Sequence, residues 1–170
     1  MADPTIVATV GGSSSNSYIT RANAQLYFDT RLDTAEWTNA GGADKDRALI
    51  MATYRLDQEE YVGSKVDTAQ ALLFPRYGAL KEDGSWWDYD EIPTPVEHAT
   101  CELALAILKK PDLMADTGLE AFNKVGIGSG AVTVEPRHTY RAATLPATVK
   151  RLLRLLLVTP SGASGVVSRG

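Results

Sequence analysis

The stretch Thr94-Pro95-Val96-Glu97-His98-Ala99-Thr100-Cys101-Glu102-Leu103-Ala104-Leu105-Ala106-Ile107-Leu108-Lys109-Lys110-Pro111 decides the fold. Thr94 suits an N-cap, Pro95 the first helical position, where a missing N–H costs nothing, and Glu97 the positive end of the helix dipole. Lys109 and Lys110 suit the last turn, and Pro111 cannot continue it. After Glu102 the helix is almost uniformly apolar. A helix apolar on all sides must be covered on all sides, which makes this one the centre of a bundle.

Working outward, the neighbours are amphipathic. Asp44 to Gln58 reads as a helix in which Ala48, Leu49, Ala52 and Leu56 form one stripe, with Asp44 and Asp46 at its start. Thr20 suits the N-cap of an earlier helix through RANAQLYFDTR, with Ala22, Leu26 and Tyr27 at helical spacing. Asn39-Ala40-Gly41-Gly42 breaks the chain between the two. A last helix is expected from about Pro146 to Val158. Residues 61–94, with two proline sites and KEDGSWWDYDEIP, read as a long irregular connection containing one short helix at Thr68 to Leu73. Lys124-Val-Gly-Ile and Ala131-Val-Thr-Val-Glu135 flank Gly128-Ser129-Gly130 and read as a β-hairpin near 124–135, which needs the bundle or a neighbouring subunit to lean on. The expected fold is mainly α: a small bundle of about four helices with a short β-hairpin and extended terminal segments. Residues 1–17, rich in Gly and Ser, read as a flexible lead-in, 18–158 as the folded domain, and 159–170 as a tail that orders only on a partner.

With 44% hydrophobic and 22% charged residues, a chain of 170 can bury one real core. No apolar run approaches the ~18 to 20 residues that cross a bilayer. The start has neither a basic patch nor an apolar signal core, so synthesis in the cytoplasm, without a membrane partner, is expected. Cys101 is the single cysteine and cannot form an internal disulfide. The net charge of −4 is unevenly spread: residues 1–135 carry 11 basic and 21 acidic side chains, a net of −10, whereas Arg137, Arg141, Lys150, Arg151, Arg154 and Arg169 follow with no carboxylate. A body of that sign repels phosphate backbones.

Chemistry-bearing patterns are sparse. Glu97-His98 and Cys101-Glu102 share a helix, but tetrahedral zinc wants four ligands and no second His/Cys pair exists in the sequence, so no metal or other cofactor is expected. Gly126-Ile-Gly-Ser-Gly130 lacks the Lys-Ser/Thr and the following helix of a phosphate loop. Ser13, Ser14, Ser15 and Ser17 lie in no nucleophile motif. The chain does not read as an enzyme.

Two features read as surfaces. Trp86, Trp87 and Tyr89 place three large aromatics in an acidic loop, either as a local loop core or as an anchor for another chain. Base stacking is disfavoured by Glu82, Asp83, Asp88, Asp90 and Glu91 around them. In the last helix Val149, Leu152, Leu153 and Leu156 form one stripe, while Leu155, Leu157 and Val158 fall outside it beside the basic Lys150, Arg151 and Arg154. That second face either meets another subunit or is buried with its basic residues snorkelling.

The words NSYITRANAQLYFDTR, ALIMATYRLDQEEYVGSKVDTAQALLFPR and IPTPVEHATCELALAIL, over about residues 16–108, resemble the head-to-tail connector (adaptor) proteins of tailed bacteriophages. Asn16-Ser17-Tyr18, Gln70-Ala71-Leu72, Phe74-Pro75-Arg76, Ile92-Pro93, Val96, Ala99 and Glu102 carry the match, although relatives often have Trp at position 74. Such relatives are often labelled DnaT-like single-stranded-DNA-binding proteins, which gives the alternative reading; a stopper or other neck protein is another. The resemblance implies a virion protein of the phage neck, made in the host bacterium. It implies a dodecameric ring under the portal protein that continues the channel, lets double-stranded DNA pass without tight binding, and meets the next tail component. Arg151, Arg154, Leu155, Leu157, Val158, Val166, Val167 and Arg169 are the residues expected to face the portal or a subunit, and Trp86, Trp87 and Tyr89 the tail or a subunit.

Overall fold

Helix α4 (Thr94–Lys109) buries Val96, Ala99, Thr100, Cys101, Leu103, Ala104, Leu105 and Ile107. These residues run around its circumference, as an all-apolar helix at the centre requires. Its cap is Pro93, so Thr94 is already helical, one residue earlier than expected. Thr100 donates its hydroxyl to the Val96 carbonyl at 2.8 Å, which satisfies a buried polar atom within the helix. The computed structural model describes residues 3–111, 122–128, 131–136 and 145–158. Within them α1 (Arg21–Asp29), α2 (Ala35–Asn39), α3 (Gly42–Leu56) and α5 (Ala147–Leu152) all pack on α4, and α3 does so most extensively. Strands β3 (Phe122–Gly128) and β4 (Ala131–Pro136) pair as an antiparallel hairpin. The fold is mainly helical with a two-stranded hairpin, as the sequence suggests.

The stripe expected on α3 is buried as read: Ala48, Leu49, Ala52 and Leu56. On α1 Thr20 caps through Asn23 N–H at 3.2 Å, but the face is rotated. Ala24 and Phe28 are buried, whereas Leu26 is exposed and Tyr27 half-buried. The cause is α2, too short for periodicity to reveal. Its Trp37 is fully buried against Phe28, ring centroids 4.5 Å apart, and donates its Nε1–H to Gln25 Oε1 at 2.9 Å.

The lead-in expected to be flexible is instead folded on itself from Thr5 onward. Asn16 Nδ2 donates to Thr5 O at 2.9 Å, Val7 N–H to Asn16 Oδ1 at 2.8 Å, and the Ser17 hydroxyl to Ile19 O at 2.8 Å. Ser15 and Ser17 are buried. Short polar side chains here satisfy their own backbone, which composition alone does not disclose.

The long connection is ordered by one residue. Arg76, 8% exposed, donates to four backbone carbonyls: Nε to Val62 at 3.0 Å, Nη1 to Leu73 at 3.3 Å, and Nη2 to Tyr61 at 3.1 Å and Gly63 at 2.7 Å. The cis peptide Phe74–Pro75 precedes it, and the Phe74 ring meets Tyr61 edge-on at 4.8 Å and Tyr18 at 5.8 Å. Strands β1 (Ser64–Lys65) and β2 (Arg76–Tyr77) form a short antiparallel ladder. Gly63, at φ +78°, lies so close to the Tyr77 carbonyl that any Cβ would stand 1.8 Å from it. The helix expected at Thr68 to Leu73 does not form. Gln70 holds a turn there instead, donating Nε2 to Leu72 O at 2.8 Å and to Pro75 O at 3.1 Å.

The last helix stops at Leu152 rather than Val158. After a turn, Leu157 bridges Tyr61 antiparallel, Val62 N–H donates to Leu156 O at 2.9 Å, and Val158 N–H to Glu60 O at 2.9 Å. Pairing with the clasped connection therefore replaces the last helical turns.

Because Arg76 satisfies several carbonyls at once, Arg76→Met should cost about 3 kcal/mol of folding stability in a urea titration. Arg76→Lys should recover only part, since an ammonium cannot span the same fork of acceptors. Full stability in the Met variant would show that the connection is held elsewhere.

Candidate interaction surfaces

The acidic loop is a small structured return. Lys81 N–H donates to Ser85 O at 2.8 Å, Asp83 accepts from the Ser85 hydroxyl at 2.6 Å, and Leu80 bridges Trp86. Alternation along the returning strand divides the tryptophans. Trp87, whose N–H donates to Ala79 O at 2.9 Å, packs against the core with Lys81 Nζ 4.7 Å from its ring centroid. Trp86 is 62% exposed. Tyr89 is also exposed, its ring 5.9 Å from that of the exposed Tyr77. Trp87 thus belongs to the loop's own packing while Trp86 and Tyr89 are exposed, and Tyr77 joins the exposed aromatics although the sequence reading passed over it. The available signal was the inward Arg76 one position before it.

At the end of the chain's described part, Val149, Leu153 and Leu156 are buried, Leu152 and Leu157 half-buried, and Leu155 and Val158 exposed. Leu157 is partly buried against the core, and its backbone bridges Tyr61. The basic stripe is not without carboxylates: Arg154 Nη2 lies 2.5 Å from Glu82 Oε1. Both partners are exposed, so the pair adds little stability, but it joins the acidic loop to the end of α5. Between them runs a groove of about 290 Å³ whose lining includes Leu80, Trp87, Pro95, Leu152 and Leu155. Arg151 is exposed. Val166, Val167 and Arg169 lie outside the described residues.

The Glu97–Glu102 cluster is occupied by packing. Tyr27 donates its hydroxyl to Glu102 Oε1 at 2.6 Å, Arg31 Nη1 lies 2.5 Å from the same oxygen, and the His98 ring sits 4.6 Å from that of Tyr27. Burial, helped by the Arg31 charge, lowers the His98 pKa, and burial raises that of Glu97. Burial pushes the Cys101 thiol up to about 12, so it is not a thiolate at neutral pH. Among the described residues no group of three or more His, Cys, Asp or Glu is placed to hold a metal ion. His138 and Ser129-Gly130 lie outside them.

What the described surface offers is therefore contact area: exposed aromatics flanked by carboxylates on one loop, and an apolar groove beside it. No curated protein and no solved structure matches the chain. The family model described as "Putative DnaT-like ssDNA binding protein" matches residues 5–170, which takes in the bundle, the hairpin and the terminal tail alike. The chain accordingly belongs to this DnaT-like family.

Proposed function

We propose that this protein is a structural, non-catalytic subunit of a phage neck: one copy in a ring, of twelve by the likeness of residues 16–108 to connector proteins, placed beneath the portal. The observation that carries this reading is the combination of exposed Trp86, Tyr89 and Tyr77 with Glu82, Asp83, Asp88, Asp90 and Glu91 on neighbouring positions. Exposed aromatics are rich in contact energy, and carboxylates beside them repel nucleic acid while leaving a protein partner free to bind. A net-acidic body also suits a channel through which DNA slides without being held. The basic end, with Arg151, Arg154, Leu155 and Val158 and the following Val166, Val167 and Arg169, is the portal-facing side, and Trp86 and Tyr89 face a neighbour or the next neck component.

The family description favours a second reading, in which the chain binds single-stranded DNA. Strand binders of that kind combine a basic groove with stacking aromatics. Here the aromatics stand among carboxylates, and that charge pattern is why the connector reading is placed first.

Two measurements separate the readings. In a fluorescence-anisotropy titration with a labelled single-stranded oligonucleotide at physiological salt, no saturable binding is expected; tight binding with a steep salt dependence would replace the connector reading with the second. Truncation after Pro160 keeps every described contact of the Leu156–Val158 segment, so a folded protein with an unchanged helical signal is expected, and its attachment to portal-bearing heads should be lost. Attachment equal to that of the full chain would place the portal contact outside the tail.

A further inference from the structure

Arg76 points inward and its neighbour Tyr77 outward, and the returning loop lays Tyr89 beside Tyr77. Both rings are exposed, their centroids 5.9 Å apart and their planes tilted by 40°. Trp86, close by in the same loop, is exposed as well. The chain supplies cations to other groups of this loop: Lys81 Nζ stands over the Trp87 ring, and Arg154 pairs with Glu82. The outer groups receive none. Among the described residues no cation lies over Tyr77, Tyr89 or Trp86, and the exposed carboxylates of Asp88 and Asp90, on either side of Tyr89 in the chain, have neither an ion pair nor a hydrogen bond. Glu91 accepts the Asp88 N–H at 3.2 Å and has no cation partner among them. Asp90 and Glu91 also line a hollow of about 300 Å³, and Glu97 on its wall is likewise without a cation partner among the described residues.

We infer that this surface binds an arginine-bearing segment of another protein, with the guanidinium laid flat on the Tyr77 and Tyr89 pair and its N–H groups turned to Asp88 and Asp90. Ring faces are electron-rich, and unpaired carboxylates beside them make one cation the group that satisfies both. A guanidinium does so best. It is planar and weakly hydrated, so it stacks on a ring while its fork of N–H donors meets carboxylates. An ammonium is a compact, strongly hydrated point charge that uses the carboxylates and gains less from the rings. Other partners fit worse. A nucleic acid could stack its bases on the rings, but its phosphates would face Glu82, Asp83, Asp88, Asp90 and Glu91. An apolar partner would cover the rings and desolvate the neighbouring carboxylates without a counter-charge. The inference rests on the reading of this loop as a protein-contact surface and names the chemistry of what it meets.

Peptide binding to the full chain tests it, read by fluorescence anisotropy at physiological salt. The probes are a fluorescein-labelled peptide of alternating arginine and glycine and its lysine counterpart of equal length and charge. The arginine peptide should bind about ten-fold more tightly than the lysine one. Tyr77→Leu with Tyr89→Leu keeps apolar bulk but removes the ring faces; it should retain the helical circular dichroism and lose the preference for arginine. If that pair loses its helical signal, Tyr89→Leu alone decides in its place. Asp88→Asn with Asp90→Asn should weaken the arginine peptide about five-fold. Equal binding of the two peptides, or an arginine preference that survives the leucine substitutions, would reduce the contact to general attraction by an acidic chain and overturn the inference. Self-association that the leucine substitutions abolish in sedimentation, with neither peptide bound, would overturn it in favour of a second copy as the occupant. Absence of any binding also overturns it, and attachment of the unaltered chain to portal-bearing heads then judges the neck reading separately.

Discussion

A guanidinium with four carbonyl acceptors, that of Arg76, sets the shape of the long connection between α3 and α4. It fastens residues 61–63 to Leu73, and the fastened segment in turn seats Phe74 between Tyr18 and Tyr61. Asp57, just past the end of α3, receives the Tyr18 hydroxyl and, at 3.3 Å, the Leu73 N–H, so the same region is tied back to the bundle. Burial raises the Asp57 pKa even though these hydrogen bonds pull the other way. From that clasp follow the outward position of Tyr77, the return of the acidic loop, and the edge on which Leu157 ends the described chain.

The bundle was legible because its signals are local and repeated. An all-apolar helix between a proline and a lysine pair has few alternatives, and the Ala48, Leu49, Ala52, Leu56 stripe can be buried in only one way. What escaped was set by long-range contact. Leu26 looks like a core residue until Trp37, on a helix of five residues, claims the space beside Phe28. Ser15, Asn16 and Ser17 look like linker until their hydrogen bonds to Thr9, Thr5 and Ile19 are seen. The Thr68 to Leu73 segment has helical composition, but the Gln70 side chain has backbone acceptors nearby that a turn can reach and a helix cannot.

The surface was half legible. Composition located the aromatic loop and its carboxylates, but the division of Trp86 from Trp87 depends on a strand return that composition does not show. The basic stripe was visible as well, while its link to Glu82 joins segments 72 positions apart. Exposed aromatics beside an acidic rim are the observations on which the proposed protein-contact reading rests. The family description, by contrast, names a nucleic acid as partner, and the sign of the charge around the aromatics is where the two readings part.

The most direct measurement is a cryo-electron microscopy reconstruction of the neck of virions whose genome encodes this chain. The expected result is a ring of α4-centred helical subunits directly beneath the portal, with the channel open through its middle. A well-resolved neck built entirely of other chains would contradict it.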